Sequence, residues 1–288
     1  MRKTILIAAA SVALAACSKE HTRPIIEVEP FQKYDTTIVM FSFSPYIIEP
    51  IATKADVSIA ELSKRLDVYI VEGDNIIEVH QNKDEGPEGF GTVSATLNKT
   101  KTYTLYAVAH KGSGESILEN GIITFADNKI TETFYYSTTF TPSSTTSLSC
   151  LMNRIVGMFK LTIVDALPAN LAKMQFTISG SGLGYNVNGA PTNIGDKISI
   201  INNPSSANDG TTTFKIYCLA KTNEATPMDV TVTALDAEDN VIETKTFENV
   251  PIRAGYSTSF RGTFFITTSG DMIFTAPESW TNYDEETF

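Results

Sequence analysis

Asp229-Val-Thr-Val-Thr-Ala-Leu235 is the stretch that decides the fold class. Val230, Val232 and Ala234 fall on one side of an extended chain and Thr231 and Thr233 on the other, the period of two that marks a strand with one buried and one solvated face. Outward from it, Phe159, Leu161 and Ile163 alternate with Lys160 and Thr162 in the same way. Strands are read over 174–179, 213–219, 229–235, 241–247 and 257–266. Upstream, Val39, Phe41 and Phe43 alternate with Ile38, Met40 and Ser42. Further strands follow over 66–72 and 76–80, joined by the turn Gly73-Asp74-Asn75, and over 91–97, 103–109, 122–125 and 131–136. Ser58-Ile-Ala-Glu61 has capping-box spacing and predicts a short helix through Lys64. No stretch offers the long amphipathic helix that parallel crossovers need, so the strands are expected to be largely antiparallel. The expected fold class is all-β, as two β-sandwich domains. Their boundary is read in the Ser/Thr-rich stretch from Ser137 to Ser149, with Pro142, which could instead be a long edge strand; this gives domains over 36–145 and 146–288, the second ending in an acidic tail at Asp284-Glu-Glu286.

The chain begins with Arg2 and Lys3 followed by an apolar run over 4–16, too short to span a bilayer at about 20 residues per helix. The run closes on Leu14-Ala15-Ala16-Cys17, which resembles the lipobox of bacterial lipoproteins. Residues 1–16 are therefore expected to be a signal peptide and Cys17 the site of lipidation, holding the protein to a membrane through acyl chains. Residues 17–35, with Pro24 and Pro30, read as an extended tether, whose start Ser18-Lys19-Glu20 resembles the surface-export tag of Bacteroidetes lipoproteins. A net charge of -11 argues against a nucleic-acid or anionic-membrane surface.

Reactive groups are scarce. The three histidines are His21 in the tether, His80 on a strand and His110 at a strand end, and a general base at His110 would need a nucleophile and an orienting acid that nothing nearby supplies. Cys150 and Cys218 lack CxxC partners and read as buried thiols, their pairing left open. Asp236-Ala-Glu238-Asp239-Asn240 reads as a hairpin loop in preference to a calcium site, and Gly180-Ser-Gly182-Leu-Gly184 as a flexible connection between strands. No catalytic residue, metal or cofactor is expected. Trp280 and Tyr283 read either as terminal packing or as stacking platforms for a glycan.

Several segments in order resemble the FimB-type fimbrial subunit family of Bacteroidales, lipoproteins of type V pilus systems. They are the lipobox, Leu66-Asp-Val-Tyr-Ile70, Gly89-Phe-Gly91, Tyr103-Thr-Leu-Tyr-Ala-Val-Ala-His110, Ile130-Thr-Glu-Thr-Phe-Tyr-Tyr136, Asn153-Arg-Ile-Val-Gly-Met-Phe159, Val250-Pro-Ile-Arg253 and Ser257-Thr-Ser-Phe-Arg-Gly-Thr-Phe264. The resemblance implies two transthyretin-like sandwiches and a non-enzymatic, outer-membrane, cell-surface role as pilus anchor, accessory or tip component, with other pilin subunits as partners through strand exchange. It also implies that a protease cuts related pilins after a basic residue near the first strand, for which Lys54, Lys64 and Arg65 are the candidates here, while anchor members stay uncut. The alternative is a surface lipoprotein that binds a glycan or host ligand.

Overall fold

The computed structural model describes residues 35–46, 57–86, 89–143, 145–266 and 273–279, and those from Asp35 onward belong to one compact unit. The signal segment, Cys17, the tether, Lys54, Trp280, Tyr283 and the acidic tail lie outside the described residues.

The first half runs β1 (Thr36–Pro45), α1 (Ile59–Leu62), β2 (Arg65–Glu72), β3 (Asn75–Asn82), β4 (Thr92–Asn98), β5 (Tyr103–His110), β6 (Ser116–Glu119), β7 (Ile122–Phe125), β8 (Thr133–Phe140) and β9 (Ser147–Arg154). The second runs β10 (Val156–Ile163), β11 (Lys173–Asn186), β12 (Ala190–Asn202), β13 (Thr212–Leu219), β14 (Thr226–Leu235), β15 (Val241–Ile252), β16 (Tyr256–Gly262) and β17 (Ile273–Ser279).

One seven-strand pattern occurs twice. In the first half β3-β2-β5-β8 pair antiparallel, and β1 lies between β4, antiparallel, and β9, parallel. In the second β12-β11-β14-β15 pair antiparallel, and β10 lies between β13, antiparallel, and β16, parallel. Strand for strand the halves correspond, so each is a two-layered sandwich whose first strand is parallel to its last. The β6-β7 hairpin is inserted between the fifth and sixth strands of the first half, and β17 is added outside β16.

The alternation read from sequence sets what each strand buries. Val39, Phe41 and Phe43 of β1 meet Leu66, Val68 and Ile70 of β2 and Leu105, Ala107 and Ala109 of β5 in the first core. Phe159, Leu161 and Ile163 of β10 meet Met174, Phe176, Val230, Val232 and Ala234 in the second, with the Phe159 ring between those of Phe176, Phe247 and Phe260. Each large apolar side chain so buried contributes about 1.5–3 kcal/mol. Cys150 lies in the first core and Cys218 in the second, both as free thiols, and burial pushes Cys150 up to about 12, which keeps it protonated.

The strand β9, which the sequence reading placed within 146–288, pairs with β1 and sends Cys150 and Met152 into the first core. Two readings change. The Gly180–Gly184 stretch is no connection but the middle of the 14-residue β11, bulged between Ile178 and Ser181. Its glycines permit close approach: a Cβ at Gly182 would stand 2.7 Å from Pro191 Cβ, and one at Gly184 2.9 Å from Ile122 Cγ2. The strand expected over 257–266 ends at Gly262, because the Asp165 carboxylate accepts the backbone N–H groups of Phe264, Phe265 and Ile266 at 2.7 to 2.9 Å and turns the chain away. The Asp236 loop does join an antiparallel pair, β14 and β15, with Asp236 Oδ1 accepting from the backbone of Glu238 and Asn240.

Candidate functional site

Of the basic residues named for proteolysis, Lys64 is exposed and lies 3.7 Å from Asp84, while Arg65 is buried at the start of β2. The bonds around Lys64 are nonetheless built in: its N–H donates to His110 O at 2.9 Å and its carbonyl accepts from Lys83 N at 2.8 Å.

Arg65 opens a buried polar cluster on the face of β2 turned away from the first core. Because side chains alternate along a strand, Arg65, Asp67 and Tyr69 share that face. The carboxylate of Asp67 has no solvent exposure and accepts four hydrogen bonds, from His80 Nδ1 at 2.8 Å, His110 Nε2 at 3.1 Å, Ser116 N at 2.8 Å and Ser116 Oγ at 2.9 Å. Tyr69 donates its hydroxyl to Ser116 O at 2.7 Å, so β2 holds the N–H, the hydroxyl and the carbonyl of one residue. Arg65 Nη2 lies 3.0 Å from Glu115 and 3.9 Å from Asp67.

Burial works to raise the Asp67 pKa, but the bonds from His110, Ser116 and His80 together outweigh it and hold the carboxyl below its ordinary value. His110 Nδ1 accepts from Gly112 N at 3.1 Å, which leaves Nε2 to carry the proton donated to Asp67 and fixes this ring as the neutral tautomer. His80 has no such constraint: its Nε2 faces Glu78 at 3.5 Å and Glu115 at 4.0 Å. Burial tends to lower the pKa of His80, yet Asp67 and then the glutamates raise it above the ordinary histidine value.

Aspartate, histidine and serine thus converge, but in the wrong order for nucleophilic catalysis. The Ser116 hydroxyl donates to the Asp67 carboxylate and not to an imidazole, and both His110 nitrogens are spent, so the serine–histidine bond of a catalytic triad is not formed here. Holding a segment in place is the chemistry this arrangement supports. Ser116 begins β6, which pairs with β7, and β7 pairs with β11 of the second half at Ile122–Asn186, Ile123–Tyr185 and Thr124–Gly184. Beside that junction Val108, Ile123, Phe125, Ile130 and Tyr135 pack on Ile155, Val156, Tyr185 and Leu219, and the Tyr135 hydroxyl donates to Val187 O at 2.6 Å. Sequence reasoning missed Asp67 and Ser116. The signal was an aspartate and a tyrosine inside Leu66-Asp-Val-Tyr-Ile70, on the face opposite the apolar residues.

Two duplicated seven-strand sandwiches, joined by a hairpin clamped through buried charge, define the class. The chain belongs to a family of unknown function, DUF6562, whose model matches residues 125–287. No curated protein matches it. Among solved structures it is similar to a candidate adhesin from Bacteroides ovatus, with a TM-score of 0.52, 11% identity, and coverage of 83% of this chain and 96% of that one. A candidate polysaccharide-binding protein (DUF1812) from Bacteroides thetaiotaomicron gives a TM-score of 0.51 at 9% identity, covering 86% and 99%. The fimbrial anchor protein Mfa2 from Porphyromonas gingivalis gives 0.47 at 12% identity, covering 85% and 98%. At these identities the property shared with the first two is the fold.

Proposed function

We propose that the protein is a lipid-anchored, non-catalytic component of a cell-surface fimbrial assembly, held in the outer membrane through Cys17 and joined to other subunits by strand exchange. The observation that carries this reading is the lipobox Leu14-Ala15-Ala16-Cys17 ahead of two sandwiches of a fold shared with a protein described as a candidate adhesin. The position of β1 supports it. Lys54, Lys64 and Arg65 all follow β1 in sequence, so a cut at any of them would separate from the body the strand that lies between β4 and β9. Losing β1 would leave two unpaired edges over an apolar trough where Val39, Phe41 and Phe43 had been, the state a partner's strand repairs. An anchor keeps β1 and its lipid. Burial of Arg65 and the built-in backbone bonds of Lys64 speak against a cut at those two positions. We further infer that the two domains divide at Ile155, between β9 and β10.

A second reading, glycan binding, draws on the fold shared with the candidate polysaccharide-binding protein. The two are separated by fractionating cells that express the wild type and Cys17→Ala. The fimbrial reading expects the wild type in outer-membrane and filament fractions and the variant in neither. A variant that still partitions with the membrane would overturn the lipid anchor, and a wild type absent from filaments would favour glycan binding.

A further inference from the structure

We propose that His80 is a proton-controlled latch on the β6-β7 hairpin, the element that joins the two sandwiches. The hairpin is bound at both ends: Ser116 is gripped by Asp67 and Tyr69 of the first half, and Ile122 to Thr124 are paired to β11 of the second. What grips Ser116 is a charge cluster that is short of cations. Facing His80 are Arg65 and Asp67 from β2, Tyr69 with its ring edge-on at 5.9 Å, Glu78 from β3 itself, Glu115 from the segment entering β6, and neutral His110 of β5 beyond Asp67. That is three carboxylates against the single guanidinium of Arg65. Protonated His80 supplies the second positive charge, bonding Asp67 through Nδ1 and standing between Glu78 and Glu115 on its other side. At 22% exposure the ring exchanges protons with solvent without unfolding the sheet.

When the proton leaves Nε2, Asp67 keeps its bonds from His80 Nδ1, His110 and Ser116, but Glu78 and Glu115 lose the positive charge that stood between them and Arg65 is the one cation left in the cluster. Glu115 adjoins Ser116, so its repulsion acts directly on the entry to β6. The sign follows from the direction of the shift. A histidine whose pKa is raised by folding stabilises fully below its unfolded value of about 6.5, and that contribution is lost as the pH rises through the folded value. The latch is therefore closed in mild acid and opens toward alkaline pH.

Hydrogen exchange of the intact protein, read by mass spectrometry at pH about 6 and about 9 and corrected for intrinsic exchange, tests this. The peptide covering 113–125 is expected to lose protection at the higher pH while 156–163, in the second core, keeps its own. His80→Gln is expected to give low protection in 113–125 at both values. Glu78→Gln alters an exposed side chain and leaves the fold intact; it is expected to move the opening of 113–125 to lower pH by removing one carboxylate that holds the proton. Protection of 113–125 that is the same at both pH values, or that falls equally in His80→Gln, or an opening pH unmoved in Glu78→Gln, would overturn the latch.

Discussion

At Asp67 a carboxylate without access to water is kept charged by four hydrogen bonds from three residues. Breaking a buried, fully bonded charge of this kind costs about 3–5 kcal/mol, because its partners stay behind unpaired. Asp67→Asn is accordingly expected to lose about 3 kcal/mol in urea unfolding near neutral pH. The loss is also expected to shrink in acid. The folded carboxyl lies below its ordinary value, so its contribution is present above about pH 3.9 and disappears as the pH falls through the folded pKa. A wild type and variant that differ equally at pH 7 and in strong acid would contradict the charged state assigned to this group. The residue was in plain view within Leu66-Asp-Val-Tyr-Ile70, and strand alternation puts it opposite the core. What it could not tell is that Ser116, 49 positions along the chain, covers that face in place of water. Only tertiary structure brings the hairpin there.

The strands read best from sequence were those with one buried face, and the reason is that a one-residue slip would expose every apolar side chain at once. Val230, Val232 and Ala234 in β14 and Val39, Phe41 and Phe43 in β1 point inward as their alternation requires. The strand β12 escaped reading because Asn193, Gly195 and Asp196 spell a turn, whereas pairing with β11 over most of its length overrides that composition. Its Ile194, Ile198 and Ile200 are exposed and its Lys197 is buried, donating to Tyr217 O, which inverts the usual cue. β9 escaped because Ser and Thr dominate its approach, yet Cys150 and Met152 at alternate positions fill the first core. The glycines of β11 have a steric role that substitution can expose. Gly184→Val would place branched carbon where Ile122 Cγ2 already stands 2.9 Å from an added Cβ and Ile123 O 3.3 Å. Overpacking of this sort costs about 1–3 kcal/mol, so the variant is expected to unfold at lower denaturant and to lose exchange protection in β7 before the second core. Unchanged protection in β7 would mean that β7 does not bear on β11.

Over the whole molecule, the all-β class and the sandwich architecture were legible because no helical period long enough for a crossover interrupts the strands. The duplication was not, since the halves share pairing order and not sequence: β1 to β10, β2 to β11, β5 to β14 and β9 to β16 correspond through their partners alone. Two sandwiches joined through a packed hairpin, each with its first strand lying between two others, are the frame on which we propose a lipid-anchored fimbrial subunit. That central claim is tested most directly by mass spectrometry of the native protein from membrane and sheared-filament fractions after crosslinking, reading the mature N-terminus and the crosslinked partners together. The account predicts a chain that begins at diacylated Cys17, retains β1 and is crosslinked to other fimbrial subunits. A chain that begins after Lys54, Lys64 or Arg65 would contradict the anchor, and a lipid-bearing monomer with no subunit crosslinks would contradict the fimbrial assembly itself.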